Sequence, residues 1–384
     1  MIHAGGPFGG ARRDAPDAGK AHASSSGVDA QAAQRYIAGI MPSPAIREPA
    51  AEPDGPFPAA GGARAVIARA CSAIARSTAP ALAIVLETTG STYVSAASIA
   101  LFEAQTQTGW LSGGCLEPEI ARRAAVAASG GSLGWMEVDT RDDAALFAGA
   151  ALGCRGRLRL ALLPLLELDG WSALGELWLQ GRGPMEWSIS SDGRVQCRVG
   201  PETCDWTLQS AVADWETDEE STGRWTLRID APPRVILHGV GPEAPLLVPL
   251  LRSMGWMTRA VEPRPRWFGI ASLADQHRET AAASDLLAWE QPFAALVMHH
   301  NFELDLHALL ALSENPPPYI GLLGPRRRRD DLFRLLPETA RERLHPRLHS
   351  PAGLDLGGRG PEAIALSIAA QLQARWHQRQ PGYT

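Results

Sequence analysis

Hydrophobic and polar positions change period several times along the chain, and each change predicts a different kind of element. Ala65, Ile67, Ala68 and Cys71 to Ile74 share one helical face, so order is expected to begin near Gly62. The unbroken apolar run Ala81–Leu86 predicts a buried strand, closed by the turn-forming sequence Thr88-Thr89-Gly90-Ser91-Thr92. A second strand is expected around Ala97–Phe102, with a loop at Gln105–Thr108. A glycine-rich turn, Trp110 to Glu119, then leads into a helix over Ile120–Ala128, with Pro118 tolerated in its first turn. Strands near Met136–Asp139 and Arg157–Leu166 follow.

Residues 170–232 alternate polar and apolar in short runs, and Asp192-Gly193 is a hairpin signal, so this stretch reads as an antiparallel extension. Beyond Pro232-Pro233 the period switches between strand and helix. Strands are expected at Arg234–His238, Met257–Val261, Ala294–His299 and Tyr319–Leu323, with helices at Glu243–Ser253, Asp305–Ser313, Arg328–Leu336 and Pro361–His377. Such alternation implies a parallel, doubly wound sheet. The fold class is therefore α/β. An N-terminal α/β domain (61–169) and an antiparallel connector (170–232) precede a Rossmann-type domain (233–384). Residues 1–60, rich in Ala, Gly, Pro and Ser, lack any sustained period and read as a disordered leader.

Composition narrows the partners. A hydrophobic share of 45% and a charged share of 20% describe an ordinary globular chain. The net charge of -6 offers no global attraction to nucleic acid or an anionic membrane. Lys20 is the only lysine among many arginines, which reads as genome composition. Five cysteines without a CxxC pair argue against a disulfide framework and for a reducing compartment. No apolar run approaches the ~18–20 residues of a membrane span, and the N-terminus lacks a signal-peptide pattern, so a cytoplasmic location is expected.

Two turns carry candidate chemistry. Gly239-Val240-Gly241-Pro242-Glu243-Ala244 fits the glycine fingerprint of dinucleotide-binding folds. Gly239 would make the tight turn and Gly241 would let a pyrophosphate approach, while Glu262, at the end of the next strand, would accept from a ribose hydroxyl. Glu243 beside the helix start would repel that phosphate, so a Rossmann fold with a weakened site is the competing reading. In Ser112-Gly113-Gly114-Cys115-Leu116-Glu117 a cysteine stands between a glycine turn and a helix start. Backbone N–H groups aimed at sulfur there would favour a reachable thiolate; the plain alternative is a buried small hydrophobe.

Cys154, in Gly153-Cys154-Arg155-Gly156, repeats the glycine setting, and two such cysteines suggest soft ligands for a metal or a sulfur-bearing group, though their spacing matches no zinc motif. Cys71, Cys197 and Cys204 read as structural. His299-His300-Asn301 end a strand at the ligand-binding edge of a parallel sheet, as a metal or acid–base pair or as one packed and one solvated ring. Arg326 to Arg329 would grip phosphate oxygens or form a solvated helix start. Asp355 lies in the loop Gly353-Leu354-Asp355-Leu356-Gly357, as a ligand contact or a feature of the loop itself.

Together these segments resemble the XdhC/CoxI family, accessory factors of xanthine dehydrogenase and related molybdenum hydroxylases. The carriers are Gly90-Ser91-Thr92-Tyr93, Ser112 to Glu117, Gly153-Cys154, Pro232 to Gly239, and Gly353 to Gly357 with the helix from Pro361 to Ile368. The resemblance implies a cofactor chaperone rather than a turnover enzyme. It would bind the molybdenum cofactor (molybdopterin), with Cys115 as a soft ligand to the metal, and hold it during sulfuration. It would then deliver it to apo-xanthine dehydrogenase, with a cysteine desulfurase as second partner. The chain departs from the family pattern at Val94 to Ala97, Arg155, Pro242 and His300-Asn301.

An NAD(P)-dependent oxidoreductase is the main alternative, but no catalytic residue can be placed beside a nicotinamide. A pure interaction protein would leave the glycine-flanked cysteines unexplained. A homodimer is the expected assembly if the chain associates. The Gly239–Ala244 and Gly114-Cys115 turns are expected to face each other across one cleft.

Overall fold

The computed structural model describes residues 62–104, 106–139, 155–211, 213, 215, 223–280 and 292–379. The leader and Cys154 lie outside the described residues. Helix α1 (Gly62–Ala75) forms where a helix is expected, but its buried face is Val66, Ile67, Ala70 and Ala73, while Ala68 and Ser72 are exposed. Strands β1 (Ala81–Gly90), β2 (Ile99–Glu103) and β3 (Thr106–Thr108) follow, then helix α2 (Glu117–Gly130), β4 (Ser132–Asp139) and β5 (Gly156–Pro164). With β9 (Gln209–Ser210) they build a six-stranded sheet in the order β3-β2-β1-β5-β4-β9. Pairing is antiparallel except between β4 and β9.

Antiparallel structure thus begins at β1 and not only after residue 170. Helix α2 packs on one face through Ile120, Ala124 and Ala127, which meet Ala83, Val85 and Leu160.

The stretch after residue 170 opens with an element that the alternating pattern does not predict. Helix α3 (Trp171–Leu179) buries Trp171, Leu174, Gly175 and Trp178, a helical spacing within a region otherwise of strand period. Strands β6 (Met185–Ser190), β7 (Arg194–Val199), β8 (Glu202–Thr207) and β10 (Arg224–Ile229) then form an antiparallel sheet in the order β10-β6-β7-β8. The expected hairpin turns at Asp192-Gly193. The inner face of this sheet shares one continuous core with α1, α3 and the remaining face of the first sheet, from Leu82 and Ile84 to Trp187 and Val195.

The last sheet joins β11 (Arg234–His238), β12 (Met257–Val261), β13 (Gln276–Arg278), β14 (Ala294–Val297), β15 (Tyr319–Leu322) and β16 (Leu348–His349). Its order, β13-β12-β11-β14-β15-β16, is parallel throughout and is that of the doubly wound dinucleotide fold. Helices α4 (Ala244–Ser253) and α8 (Pro361–Gln378) cover one face, while α5 (Phe302–Glu314), α6 (Arg326–Leu335) and α7 (Glu338–Leu344) cover the other. Arg64 of α1 ties the two halves, donating to the Trp256 carbonyl at 2.7 Å and to Asp275 at 2.6 Å. Among the described residues no helix is long and apolar enough to cross a membrane.

Candidate functional site

The Cys115 turn is held by one buried carboxylate. Glu117, the first residue of α2, is 3% exposed. It turns back to accept the N–H groups of Leu111 at 3.1 Å and Ser112 at 2.8 Å, and the Ser112 hydroxyl donates to it as well. The Ser112 oxygen in turn accepts the N–H groups of Gly114 and Leu116, each at 3.1 Å.

The N–H groups expected to point at sulfur are thus taken by Ser112, which sits below the turn. Cys115 itself is exposed, its sulfur 3.6 Å from the Ser112 hydroxyl oxygen, and it is a free thiol. It is not the buried small hydrophobe of the plain alternative.

A cleft opens beside that sulfur, lined by Ser91, Tyr93, Leu111, Leu116, Val138 and Leu158 among others. Its volume is about 30 Å³. The wall beneath Tyr93 is fixed by two glycines. Gly90 has φ +76, and a Cβ there would stand 2.5 Å from the Arg155 carbonyl oxygen, the same oxygen that accepts from Ser91 N–H at 3.1 Å. At Gly156 a Cβ would collide with the Ser91 carbonyl. These contacts bind the Gly90-Ser91-Thr92-Tyr93 turn to the start of β5. Gly113 lies exposed in the same turn as Cys115.

Among the described residues none beyond 158 lines this cleft, so the two turns expected to form its opposite walls do not meet there. The Rossmann turn has its own arrangement, at the C-terminal ends of β11, β12 and β14. Gly239 has φ +84, and a Cβ there would fall 2.5 Å from the His299 ring, so close packing by His299 already demands glycine. Over Gly241 lie the Glu243 carboxylate and the His300 ring, where a Cβ would come within 2.9 Å and 3.2 Å of them. Glu243 and His300 pair at 3.4 Å. Burial alone would raise the Glu243 carboxyl, but the hydrogen bond and charge of His300 outweigh it and lower it below its ordinary value.

Glu262 is fully buried. It accepts Val240 N–H at 2.8 Å, Arg264 N–H at 2.9 Å and the Arg264 guanidinium at 2.7 Å. These bonds overcome the desolvation that would raise its carboxyl, and lower it. Glu262, expected to accept from a ribose hydroxyl, thus fastens the glycine turn to the end of β12 together with Arg264, two residues on.

Beneath the same edge, on the α5 face, lies a second buried network. Asp305 accepts the His299 backbone N–H at 3.2 Å, the His299 ring at 3.1 Å and Arg328 at 2.6 Å. His238, wholly buried, has no hydrogen-bond partner among the described residues for either ring nitrogen. Its pKa is lowered to about 3, by burial first and then by nearby His299, with Asp305 opposing. Arg326 and Asp355 are both exposed. Arg326 opens α6, whose first turn has no acidic residue, and Asp355 accepts Gly357 N–H at 3.4 Å within its own loop.

Glu117, Arg264 and Asp305 are site-shaping residues to which sequence reasoning gives no part. Glu117 alone carried a signal, an acid at the first position of a helix just after a candidate thiol. Among the described residues no group of three His, Cys, Asp or Glu side chains is arranged to hold a metal ion.

Comparison with known proteins matches both halves of the chain. Residues 73–138 fit the model described as the XdhC and CoxI family, and residues 235–372 fit that of the XdhC Rossmann domain. A Bacillus subtilis protein, named as a probable subunit of xanthine dehydrogenase, is 27% identical over 310 residues, spanning 76% of this chain and 91% of that protein. The Escherichia coli protein YqeB is 30% identical over 156 residues, which are 36% of this chain and 28% of that one. A crystal structure described as a xanthine dehydrogenase from Bacillus halodurans superposes with a TM-score of 0.67 at 25% identity, covering 83% of this chain and 97% of that one.

Proposed function

Because the chain belongs to the XdhC and CoxI family, we propose that it is an accessory protein of xanthine dehydrogenase that binds the molybdenum cofactor at Cys115. It would hold the cofactor while its sulfido ligand is installed and pass it to the apo-enzyme. The observation that carries this reading is the exposed Cys115 thiol, presented by the Ser112–Glu117 turn at the mouth of an apolar cleft.

The residues fit such a cargo in a specific way. A thiolate suits a soft metal centre, and an apolar wall lowers the competition from water. The cofactor brings its own dithiolene ligands, so the protein needs to supply one sulfur and not a full cage. Among the described residues the cleft is lined by no cation, so we assign the phosphate end of the cofactor to a place outside it. Arg326 at the N-terminus of α6 and the Asp355 loop are proposed outer contacts of the cargo, and Cys154 a second soft donor.

A turnover reaction with NAD(P) finds less support. The phosphate position over Gly241 is filled by Glu243 and His300, and Glu262 is locked to Arg264. Beyond those two outer contacts we assign the Rossmann half a scaffolding part, and a cysteine desulfurase and the apo-dehydrogenase as the partners. Protein purified from cells that make molybdopterin should carry molybdenum and a pterin that oxidises to a fluorescent product. Cys115→Ala should lower both by at least about tenfold, the loss of roughly 1.4 kcal/mol or more of binding. Full retention by that variant would remove Cys115 from the site, and bound NADP without pterin would favour the oxidoreductase.

A further inference from the structure

Two cysteines that the cofactor reading leaves unused stand opposite one another. Cys197 of β7 and Cys204 of β8 are direct register partners across an antiparallel hairpin. Opposed residues of such a pair share a face. Here it is the inner face, where Cys197 is buried and Cys204 packs against the same core while remaining partly exposed. Both are free thiols. Because β8 is an outer strand of its sheet, Cys204 is the member of the pair that solvent reaches. Directly opposed residues hold their Cβ atoms about 4.5–5.5 Å apart. A disulfide asks for about 3.5–4.5 Å between Cβ atoms and 4.4–6.8 Å between Cα atoms. A small inward movement of an outer strand spans that difference.

We propose that Cys197 and Cys204 form an oxidation site that closes to an intramolecular disulfide when the protein meets a peroxide. The Cys204 sulfur attacks one peroxide oxygen; the O–O bond breaks and the second oxygen leaves as water, giving a sulfenic acid. The Cys197 sulfur then attacks the Cys204 sulfur, and the S–O bond breaks. The departing hydroxide takes the Cys197 proton and leaves as a second water. Two thiols are oxidised and one peroxide is reduced.

Burial raises both thiols above their ordinary values, with Asp205 and Glu202 adding to the effect at Cys204. The thiolate fraction at neutral pH is therefore small, and closure is slow. The bond would pin the outer strand to its neighbour, in a sheet whose inner face shares the core of the Cys115-bearing half.

Peptide mapping of the full chain after treatment with hydrogen peroxide tests this. A linked pair of peptides containing Cys197 and Cys204, lighter by two hydrogens than their sum and separated by dithiothreitol, is expected. Cys204→Ser should abolish the link while leaving oxidation of Cys115 unchanged. The mapping of the wild-type chain stands alone should that variant fold poorly. Cys204 recovered as a sulfinic acid, or linked to any other cysteine, with no Cys197–Cys204 link, would overturn the proposal.

Discussion

Glu117→Ala is expected to cost about 3 kcal/mol in equilibrium urea unfolding and to displace the Cys115 turn. The carboxylate is the acceptor for three donors, the N–H groups of Leu111 and Ser112 and the Ser112 hydroxyl. Each buried donor left without a partner costs about 1–3 kcal/mol. Some relaxation toward water reduces the sum, since Cys115 beside them is exposed. The charge also favours the positive end of α2, where Glu117 is the first residue.

Glu117→Gln keeps one acceptor oxygen in place and should lose only about 1 kcal/mol. Because Ser112 holds Gly114 and Leu116 through the same hydroxyl, Glu117→Ala should also make Cys115 react faster with iodoacetamide. A variant as stable as wild type, with unchanged alkylation, would show that the turn does not depend on this carboxylate.

The second large effect concerns His238. Its ring is wholly buried without a partner among the described residues, and its pKa is lowered from 6.5 to about 3. Between those values the unfolded chain carries a proton that the folded chain does not. Stability therefore rises with pH across that window and falls as pH drops below 6.5. The slope for one proton is about 1.4 kcal/mol per pH unit. His238→Leu removes both the unpaired nitrogens and the titration. It should stabilise the chain by about 1–2 kcal/mol at pH 8. The gap over wild type should widen by about 2 kcal/mol more at pH 5, about 1.5 units below the unfolded value. A variant less stable than wild type at pH 8 would mean that the ring has a partner such as a held water. A gap independent of pH would mean that it does not titrate as described.

Much of the architecture was legible because local period and fold agreed. The alternation after Arg234 yields the observed parallel order, and the helix starts at Pro361 and near Glu243 follow from their local residues. Helix α3 escaped because a nine-residue helix sits inside a stretch of strand period, although Trp171, Leu174, Gly175 and Trp178 carry helical spacing. The antiparallel order of the first sheet was beyond reach for a different reason. β1 pairs with β5, which begins at Gly156, and partner choice over such a distance leaves no local trace.

At the site, the exposed thiol at Cys115 followed from its glycine turn and helix start. The direction of the neighbouring N–H groups did not, since Ser112 competes for them. Glu262 shows the same limit. Its position at the end of β12 was foreseen, yet its role was set by Arg264, whose guanidinium reaches Glu262, the His299 carbonyl and the Val240 carbonyl together.

The central claim is that this chain carries the molybdenum cofactor to its client, and transfer tests it most directly. Apo-xanthine dehydrogenase made in cells unable to synthesise molybdopterin is mixed with the cofactor-loaded chain, and the return of xanthine oxidation is followed. The account predicts that activity appears in proportion to the molybdenum supplied, and that protein with Cys115→Ala, prepared in the same way, restores little. Activity that fails to appear with a chain shown to carry molybdenum and pterin would contradict it. So would activity that returns equally with the Cys115→Ala preparation.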